Sequence, residues 1–361
     1  MSRGLTLQHP HVSCKYVLTN FDRAIDLRHS SDVPHDVLTM GRISVDIYPN
    51  DIGVDLEDVT SFGKYLGGSP SNVAVAAARH GRDTAVITRT GDDPFGSYLH
   101  RELKKFGVSD KFVSAVPVWP TPVTFCAIKP PEDFPLYFYR TPTAPDLQVQ
   151  AADITDTETG EAVTAARIFW FTVTGLCQQP SRAAHLAALT ARPRRNLAEG
   201  QFTALDLDYR PMFWSSETEA AEAIAQVLPE ITVAIGNEQE CAVAVGPGTP
   251  DQQADRLLAA GVKVAVVKLG PQGVLAKTAE ERVISAPVPV QTLNGLGAGD
   301  SFGGAFCHGL LAGWPLAKVL DFANAAGAIV ASRLSCADAM PVSSEVIALL
   351  TERGRWAEGD E

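Results

Sequence analysis

The stretch Asn294-Gly-Leu-Gly-Ala-Gly-Asp300-Ser-Phe-Gly-Gly304 is a glycine-rich turn that leads into an apolar segment, 305–312, with the pattern of a helix. The segments 282–286 and 288–290 before it have the composition of strands. Such a turn presents free N–H groups and the positive end of a helix dipole, which together bind anions. Because Asp300 would repel a bound phosphate, its place suggests contact with the hydroxyl that attacks the phosphate. The stretch therefore predicts phosphoryl transfer with Asp300 as the base.

Simpler interpretations of this stretch remain open. Glycines at a helix start often serve only close packing, and an aspartate there often serves only as a cap. A dinucleotide-binding loop is less consistent with the position, because that fingerprint belongs early in a βαβ unit. The phosphate loop GxxxxGK[ST] does not occur in the chain.

Composition narrows the class of protein. The chain has 361 residues, is 45% hydrophobic and carries a net charge of −12, which argues against nucleic acid or an anionic membrane as a partner. The six cysteines are scattered without a CxxC pair, which favours free thiols. No apolar run reaches the ~20 residues of a membrane span, and the N-terminus has no signal-peptide pattern. We therefore expect a cytoplasmic protein without membrane contact.

In the first half of the chain we predict an N-terminal extension, the first strands of the domain and a lid. Residues 1–34 are predicted to be a mobile extension with a short strand near 15–18, and the domain is expected over 35–345, followed by a tail, 346–361. Strands are predicted at 36–40 and 43–48, and the second contains Asp46, a carboxylate that needs partners there. It either pairs with backbone or accepts hydrogen bonds from a polyol.

Two further features of this half suggest a ligand. Gly67 and Gly68 allow a ligand to approach the backbone, and Asn72 lies in the first turn of the helix that follows; a plain glycine corner is the alternative. The segments 123–128 and 136–140 predict an antiparallel hairpin with a proline-rich loop. Together with 60–67 they would form a small sheet, a lid drawn from about 55–67 and 120–141 that excludes water from the site.

From about 165 onward short apolar strands alternate with helices. This pattern is typical of a parallel sheet covered on both faces, with ligands bound at the carboxyl ends of its strands. Polar residues that follow strands should gather at that rim, namely Asp206, Asp208, Asn237, Lys268 and the 294–300 turn.

In this order the motifs resemble the PfkB (ribokinase-like) family of sugar kinases over about 36–341. The main matches are Gly67-Gly68-Ser-Pro-Ser-Asn72 and Gly297-Ala298-Gly299-Asp300, supported by Asn237–Glu240 and Lys268–Gly273. The resemblance implies an α/β fold, with a ribokinase-like three-layer αβα core, a mostly parallel sheet and a small β-sheet lid. It also implies ATP and Mg²⁺ as cofactors. The family's usual Asp-Thr before the second motif is here Asn294-Gly, which puts a monovalent-cation effect in doubt.

The resemblance also assigns roles to individual residues. Asp300 would be the catalytic base, and Gly297, Ala298 and Gly299 would form the anion hole. The sugar would be held by Asp46, Gly67, Gly68 and Asn72. The ATP site would be lined by Asn237, Lys268, Gly270, Gly273 and Asn324, and Glu240 would act on Mg²⁺ through water.

Further stretches are similar to a family member that phosphorylates the C6 hydroxyl of a sugar acid. Such a substrate carries a carboxylate and needs a cation, and Arg42, Lys64, Arg89 and Arg140 lie in or beside the proposed sugar side. Arg140 is the first choice, because a guanidinium can bind a carboxylate through two parallel hydrogen bonds, and Lys64 is the second. The alternative is that these are ordinary solvated charges.

Other functions stay open at this point. The nearest is another sugar kinase of the family, such as 2-keto-3-deoxygluconokinase, ribokinase or fructokinase. A non-catalytic sugar- or nucleotide-binding regulator and an NAD-dependent dehydrogenase are alternatives of other classes. A homodimer could form through the exposed lid.

Overall fold

Strands and helices alternate along the chain in the computed structural model, which describes residue 1 and residues 34–131 and 133–357. The strands are β1 Val37–Met40, β2 Ser44–Pro49, β3 Phe62–Gly67, β4 Thr84–Gly91, β5 Val108–Ser109, β6 Val113–Val116, β7 Val123–Cys126, β8 Leu136–Tyr139, β9 Ile168–Thr172, β10 Phe202–Asp206, β11 Val233–Asn237, β12 Val264–Lys268, β13 Val274–Lys277 and β14 Arg282–Ser285. The helices are α1 Ser69–Arg79, α2 Pro94–Lys105, α3 Glu158–Ala165, α4 Ser181–Ala191, α5 Glu217–Val227, α6 Glu238–Val245, α7 Pro250–Ala259, α8 Ala298–Leu311, α9 Leu316–Ala331 and α10 Ser343–Glu352. The predicted N-terminal extension falls almost wholly outside the described residues.

The large sheet contains ten strands in the order β14-β13-β12-β11-β10-β9-β1-β4-β5, with β6 also paired to β4. Its central strands, from β12 to β4, are parallel, whereas β13 and β14 continue the sheet antiparallel at one edge. The prediction of a mostly parallel sheet is confirmed. The β12–β13 hairpin was not predicted, and the strand predicted at 288–290 does not form.

Both faces of this sheet are buried, and β9 illustrates the reason. All five of its side chains are buried; Phe169 and Phe171 pack into the cluster under α4 to α7, and Ile168 and Trp170 pack under α8 and α9. A strand covered on two sides needs apolar residues at every position, which explains why the alternating strand pattern is missing here. The result is the predicted three-layer αβα arrangement.

The small sheet has the order β3-β2-β7-β8 and forms the lid. The hairpin β7–β8 is antiparallel as predicted, and β3 joins the same sheet through β2. Strand β2 leaves the large sheet, because Gly41 has φ +137, a conformation that favours glycine, and turns the chain after β1.

The C-terminal segment is more extensively packed than predicted. The tail predicted from 346 begins inside α10, whose Val346 and Leu350 are buried against α9. Trp356 is also buried and lies edge-on to Trp314, with ring centroids 5.4 Å apart. The segment 346–356 thus packs onto the domain through Val346, Leu350 and Trp356, and residues 358–361 lie outside the described part.

Helices α1 and α8 lie close together because small residues face each other. A Cβ added at Gly304 would lie 2.3 Å from Cβ of Ala76 and 2.6 Å from the backbone N of Ala77. At Gly303 it would lie 2.8 Å from the ring of Trp170. The two helices can therefore approach to this distance only if residues 303 and 304 have no side chain.

We expect Gly304→Val to destabilise the protein, because the added carbons meet the backbone of α1 and force the helices apart. Overpacking of this kind costs about 1–3 kcal/mol, or roughly 2–10 °C in melting temperature for a domain of this size. Thermal unfolding measures the effect. Ala317→Val places the same valine side chain on the exposed face of α9 and is the control, with an expected change below about 2 °C. Equal melting temperatures for the two variants would contradict the packing argument.

Candidate active site

The start of α8 forms a bare helix N-terminus at the carboxyl end of the sheet. The N-cap residue Gly297 has φ +80 and offers no side chain to the first turn, so the N–H groups of that turn point outward. A Cβ at Gly297 would lie 2.7 Å from Sγ of Cys336, so the turn is also closed from behind. The site can therefore present backbone donors to an anion, as the glycine pattern predicted.

Asp300, in the first turn of α8, is held by the first turn of α1. Ser69 donates from Oγ to Oδ1 of Asp300 at 2.7 Å, and Asn72 donates from Nδ2 to Oδ2 at 2.8 Å. Burial raises the pKa of Asp300 above its ordinary value of 3.8, although these two hydrogen bonds oppose the shift. The result is a positioned carboxylate with increased basicity at the helix N-terminus.

The lid contributes the inward face of β2. Ser44, Asp46 and Tyr48 alternate with the core residues Val45 and Ile47, and these three line a polar cavity of about 260 Å³ that also contains Asp300. The remaining lining residues used below are Arg42, Gly68, Asn72, Phe138, Asp206, Asp208, Arg210, Glu240, Lys268, Gly297 and Gly299.

Asp46 is a desolvated carboxylate in this cavity. Burial raises its pKa to about 7, while Ser44, which donates to Oδ1 at 2.8 Å, opposes the shift. A Cβ at Gly67 would lie 2.0 Å from the carboxylate, so glycine there makes the space that Asp46 occupies. Gly68 has φ +98, and a Cβ there would meet the carbonyl of Arg42.

Charged residues follow the carboxyl ends of β10, β11 and β12. Burial raises the pKa of Asp206 to about 7, although Lys268 at the end of β12 opposes it. The pKa of Lys268 is raised in spite of its burial, because Asp206 and Glu240 stabilise the ammonium. In the same cavity the pKa of Asp208 is lowered in spite of burial by Arg210 and Arg42. These strand ends therefore meet at one rim, as predicted.

A second, larger cavity of about 560 Å³ lies on the other side of the α8 turn. It shares Lys268, Gly295 and Gly299 with the polar cavity and is lined mostly by apolar or small residues between β12 and α9. The predicted residues Gly270, Gly273, Ala298 and Asn324 line it. Asn324 also donates from Nδ2 to Oγ of Ser285 at 2.8 Å. Its size and lining suit a heterocyclic ligand.

Three predicted residues lie elsewhere. Asn237 caps α6 by accepting from the N–H of Glu240 at 2.8 Å and lines neither cavity. Arg140 forms a buried ion pair with Asp146, 2.7 Å apart, outside the polar cavity. Lys64 lies on the opposite face of β3 from the cavity, with Nζ 4.1 Å from the centre of the Tyr98 ring. Neither cation that the sequence favoured for a carboxylate therefore lines the cavity.

Sequence reasoning missed Arg210, Phe138 and Ser44 as lining residues. The position of Ser44 can be inferred from Asp46, because side chains two residues apart on a strand point to the same face. Arg210 stands two residues after Asp208, which the sequence placed at the rim of the sheet. The prediction looked for a cation beside the lid and did not consider the loop after β10.

The acidic residues of the cavity are the candidates for holding a metal. No group of three or more His, Cys, Asp or Glu in the part of the chain the structure describes forms a ready metal site. Glu240 uses Oε2 to accept from the N–H of Asn237 at 2.7 Å, which leaves Oε1 for another partner. Mg²⁺ keeps several waters and needs only one or two protein carboxylates, so these residues fit a water-bridged ion.

Comparison with known proteins identifies the class. The sequence profile of the pfkB family carbohydrate kinases matches residues 34–343, and the chain belongs to this family. The predicted fold is confirmed by the fructokinase of Vibrio cholerae O395, at 24% identity, which covers 88% of this chain and 99% of its own with a TM-score of 0.74. A sugar kinase of Pyrococcus horikoshii has a TM-score of 0.70 at 25% identity, covering 86% of this chain and 96% of its own.

Among curated proteins, the chain is similar to two enzymes named 5-dehydro-2-deoxygluconokinase. That of Geobacillus thermodenitrificans is 32% identical over 324 residues, which cover 87% of this chain and 92% of the relative. That of Clostridium tetani is 30% identical over 327 residues, covering 89% and 94%. In the described residues no helix has the length and apolarity that a membrane crossing requires. The described cysteines are free, as expected.

We expect Asp46→Asn to stabilise the protein at alkaline pH. The pKa of Asp46 is about 7 when folded and near 3.8 when unfolded, so the folded state binds more protons in between and stability falls as the pH rises from about 4 to 7. The variant should therefore melt about 2–6 °C higher at pH 8, and the gain should shrink towards pH 4.

Thermal unfolding of both proteins at pH 8, 6 and 4 checks this expectation. The control is Asp92→Asn, which removes the same charge from an exposed residue after β4 and should give no pH-dependent gain. A gain for Asp46→Asn that is constant with pH would show that the carboxylate is not desolvated.

Proposed function

We propose that the protein is a 5-dehydro-2-deoxygluconokinase, which transfers the γ-phosphate of ATP to the C6 hydroxyl of 5-dehydro-2-deoxy-D-gluconate. The family membership and the names of relatives at about 30% identity over most of the chain support this activity. The observation that carries it is the position of Asp300 in a polar cavity, at the helix N-terminus where this cavity meets a larger, mostly apolar one.

The sugar acid occupies the polar cavity and ATP the larger one. Asp300 faces the former, and Gly299 and Lys268 belong to both, so a hydroxyl beside Asp300 is adjacent to the place where the terminal phosphate arrives. ATP- and Mg²⁺-bound neighbours of this fold support the choice of nucleotide. The Mg²⁺ would be held through water by Glu240 and would neutralise phosphate charge.

The chain's own groups then act as follows. Asp300 accepts the proton of the C6 hydroxyl while that oxygen bonds to phosphorus and the bond from phosphorus to the leaving ADP oxygen breaks. The N–H groups of the α8 first turn and the ammonium of Lys268 face the transferring group and stabilise its charge. Ser69 and Asn72 keep the carboxylate aimed during the transfer. Asp46, whose carboxylate oxygens accept hydrogen bonds, orients the substrate's hydroxyls.

The small sheet supports two further proposals about the whole molecule. Its outer face exposes Phe62, Tyr137 and Tyr139, which is unusual for a surface that faces only water. We propose that a second copy of the chain covers this face in a homodimer. A measurement of the molar mass in solution tests this proposal. We also propose a cytoplasmic location, in keeping with the free cysteines and with a reaction that consumes ATP.

We expect Asp300→Asn to lower kcat by about 10²- to 10⁴-fold, the usual contribution of a general base. The amide keeps the size of the side chain, so ATP should bind with a Kd within about threefold of the original value. A coupled assay for ADP release gives kcat, and calorimetry gives the ATP affinity. Asp92→Asn is the matched control and should retain full activity. Near-normal turnover by Asp300→Asn would remove Asp300 from the mechanism.

We expect the unsubstituted protein to prefer the sugar acid. Its kcat/KM for 5-dehydro-2-deoxy-D-gluconate should exceed those for ribose and fructose by at least about 100-fold, because a site built for polar groups discriminates strongly against ligands that lack them. The same ADP assay across these sugars and 2-keto-3-deoxygluconate gives the ranking. Preference for a neutral sugar would reassign the substrate within the family, and absence of turnover on every sugar would favour a binding regulator.

A further inference from the structure

The cavity that receives the sugar has an uneven charge distribution. Five carboxylates line it, at Asp46, Asp206, Asp208, Glu240 and Asp300, against three cations, at Arg42, Arg210 and Lys268. A sugar acid brings one more negative charge, which needs a cation that the cavity's own acids do not fully neutralise. Lys268 does not suit this role, because Asp206 and Glu240 surround it and it adjoins Gly299 on the nucleotide side.

The side chain of Arg42 is fixed by its contacts, and one of its guanidinium nitrogens has no hydrogen bond to any described residue. Its Nε donates to Oγ1 of Thr174 at 3.1 Å, and its Nη2 donates to Oδ2 of Asp208 at 2.7 Å. Phe138 of the lid and Phe213 lie against the guanidinium, each with the ring centre 5.8 Å from Cζ. Within the described residues Nη1 makes no hydrogen bond, although the side chain is only 8% exposed.

Arg210 reaches the same carboxylate from the other side. Its Nη2 lies 2.8 Å from Oδ1 of Asp208, and its Nε is buried and has no hydrogen-bond partner in the described part of the chain. Asp208 is therefore shared by two guanidinium groups, which leaves the trio with a net positive charge. The buried Nε of Arg210 without an acceptor among the described residues, in the same cationic group as the unpaired Nη1 of Arg42, indicates a missing anionic acceptor.

Arg42 and the two residues to which it donates, Thr174 and Asp208, follow three neighbouring strands. Arg42 follows β1, Thr174 follows β9 and Asp208 follows β10, and these strands are adjacent in the sheet. Rigid strand ends with paired supporting groups keep the guanidinium planes oriented, and a planar fork matches a carboxylate better than an ammonium does.

We propose that the pair Arg42 and Arg210, joined by Asp208, binds the carboxylate of the sugar acid and so selects acids over neutral sugars. This inference rests on the proposed function, because it assumes that the substrate is a sugar acid. It replaces Arg140 and Lys64, the cations predicted from the sequence, neither of which lines the cavity. It also makes Asp208 a positioning residue, since its two oxygens are occupied by the arginines.

The experiment compares two substrates on the full-length chain, the sugar acid and the analogue in which a carboxamide replaces its carboxylate. Arg42→Gln should raise the KM of the acid by about 10- to 100-fold, the loss expected for charge-assisted hydrogen bonds. The KM of the carboxamide and that of ATP should change by less than about threefold. Arg210→Gln should act in the same direction, and Arg42→Lys, which keeps the charge but loses the fork, should fall between.

A matched control separates recognition from general loss of charge. Arg167→Gln removes an arginine that pairs with Asp36 at 2.9 Å, next to the amino end of β9 and outside the cavity, and it should leave both KM values unchanged. Melting temperatures of all variants show whether the fold is retained. If Arg42→Gln fails to fold, the KM values of Arg210→Gln and Arg42→Lys for the acid and the carboxamide, compared with those of the original protein, test the proposal instead.

The outcomes distinguish this inference from the proposed function. If the original protein phosphorylates the acid well but Arg42→Gln raises both substrates' KM values equally, the arginines only shape the cavity and the inference fails alone. If ATP is the ligand whose KM rises, the arginines contact phosphate instead, and the inference also fails. If the original protein prefers the carboxamide or a neutral sugar to the acid, the proposed function itself is wrong.

Discussion

The pair of hydrogen bonds from α1 to Asp300 depends on how closely α1 and α8 pack. Glycines at 303 and 304 let α8 lie directly on Ala76 and Ala77, and this contact brings the first turns of the two helices together. Ser69 and Asn72 then reach the carboxylate at 2.7 and 2.8 Å. Gly303 and Gly304, which follow the first turn of α8, are therefore as important to the site as the glycines within that turn. The same small residues that allow close packing also set the geometry around Asp300, the proposed base.

The cavity combines buried charges of both signs, which is costly to fold and useful in catalysis. Asp46 and Asp206 have pKa values near 7, so at neutral pH the folded protein retains carboxylates in an environment that disfavours their charge. Asp208 is different, because two arginines hold its pKa below the ordinary value. Neighbouring carboxylates in one cavity thus differ in their pKa, because their partners differ.

The sequence predicted the parts of the site that depend on local backbone form or on a single strand end. Gly297, Gly68 and Asp300 were found because positive φ and a bare helix start leave a clear pattern, and Lys268 because parallel strands end at one rim. Arg140 could not be judged in this way, since its partner Asp146 lies on a loop whose path no pattern reveals. Lys64 was misjudged because its face of β3 depends on the register with β2, in which Asp46 stands opposite Tyr65.

Because β2 separates from the large sheet, the lid and the core line the same polar cavity. The turn at Gly41 leads the chain from β1 into β2, the strand of the lid that contains Asp46. Only three residues therefore separate Arg42, which is bound to the core, from Asp46 in the lid. Arg42 is anchored to Thr174 and Asp208 on the core side and packs against Phe138 on the lid side. A ligand that engages Arg42 and Asp46 must therefore contact both sheets at once. The proposed function of the lid and the proposed recognition of the substrate by Arg42 therefore depend on the same short segment.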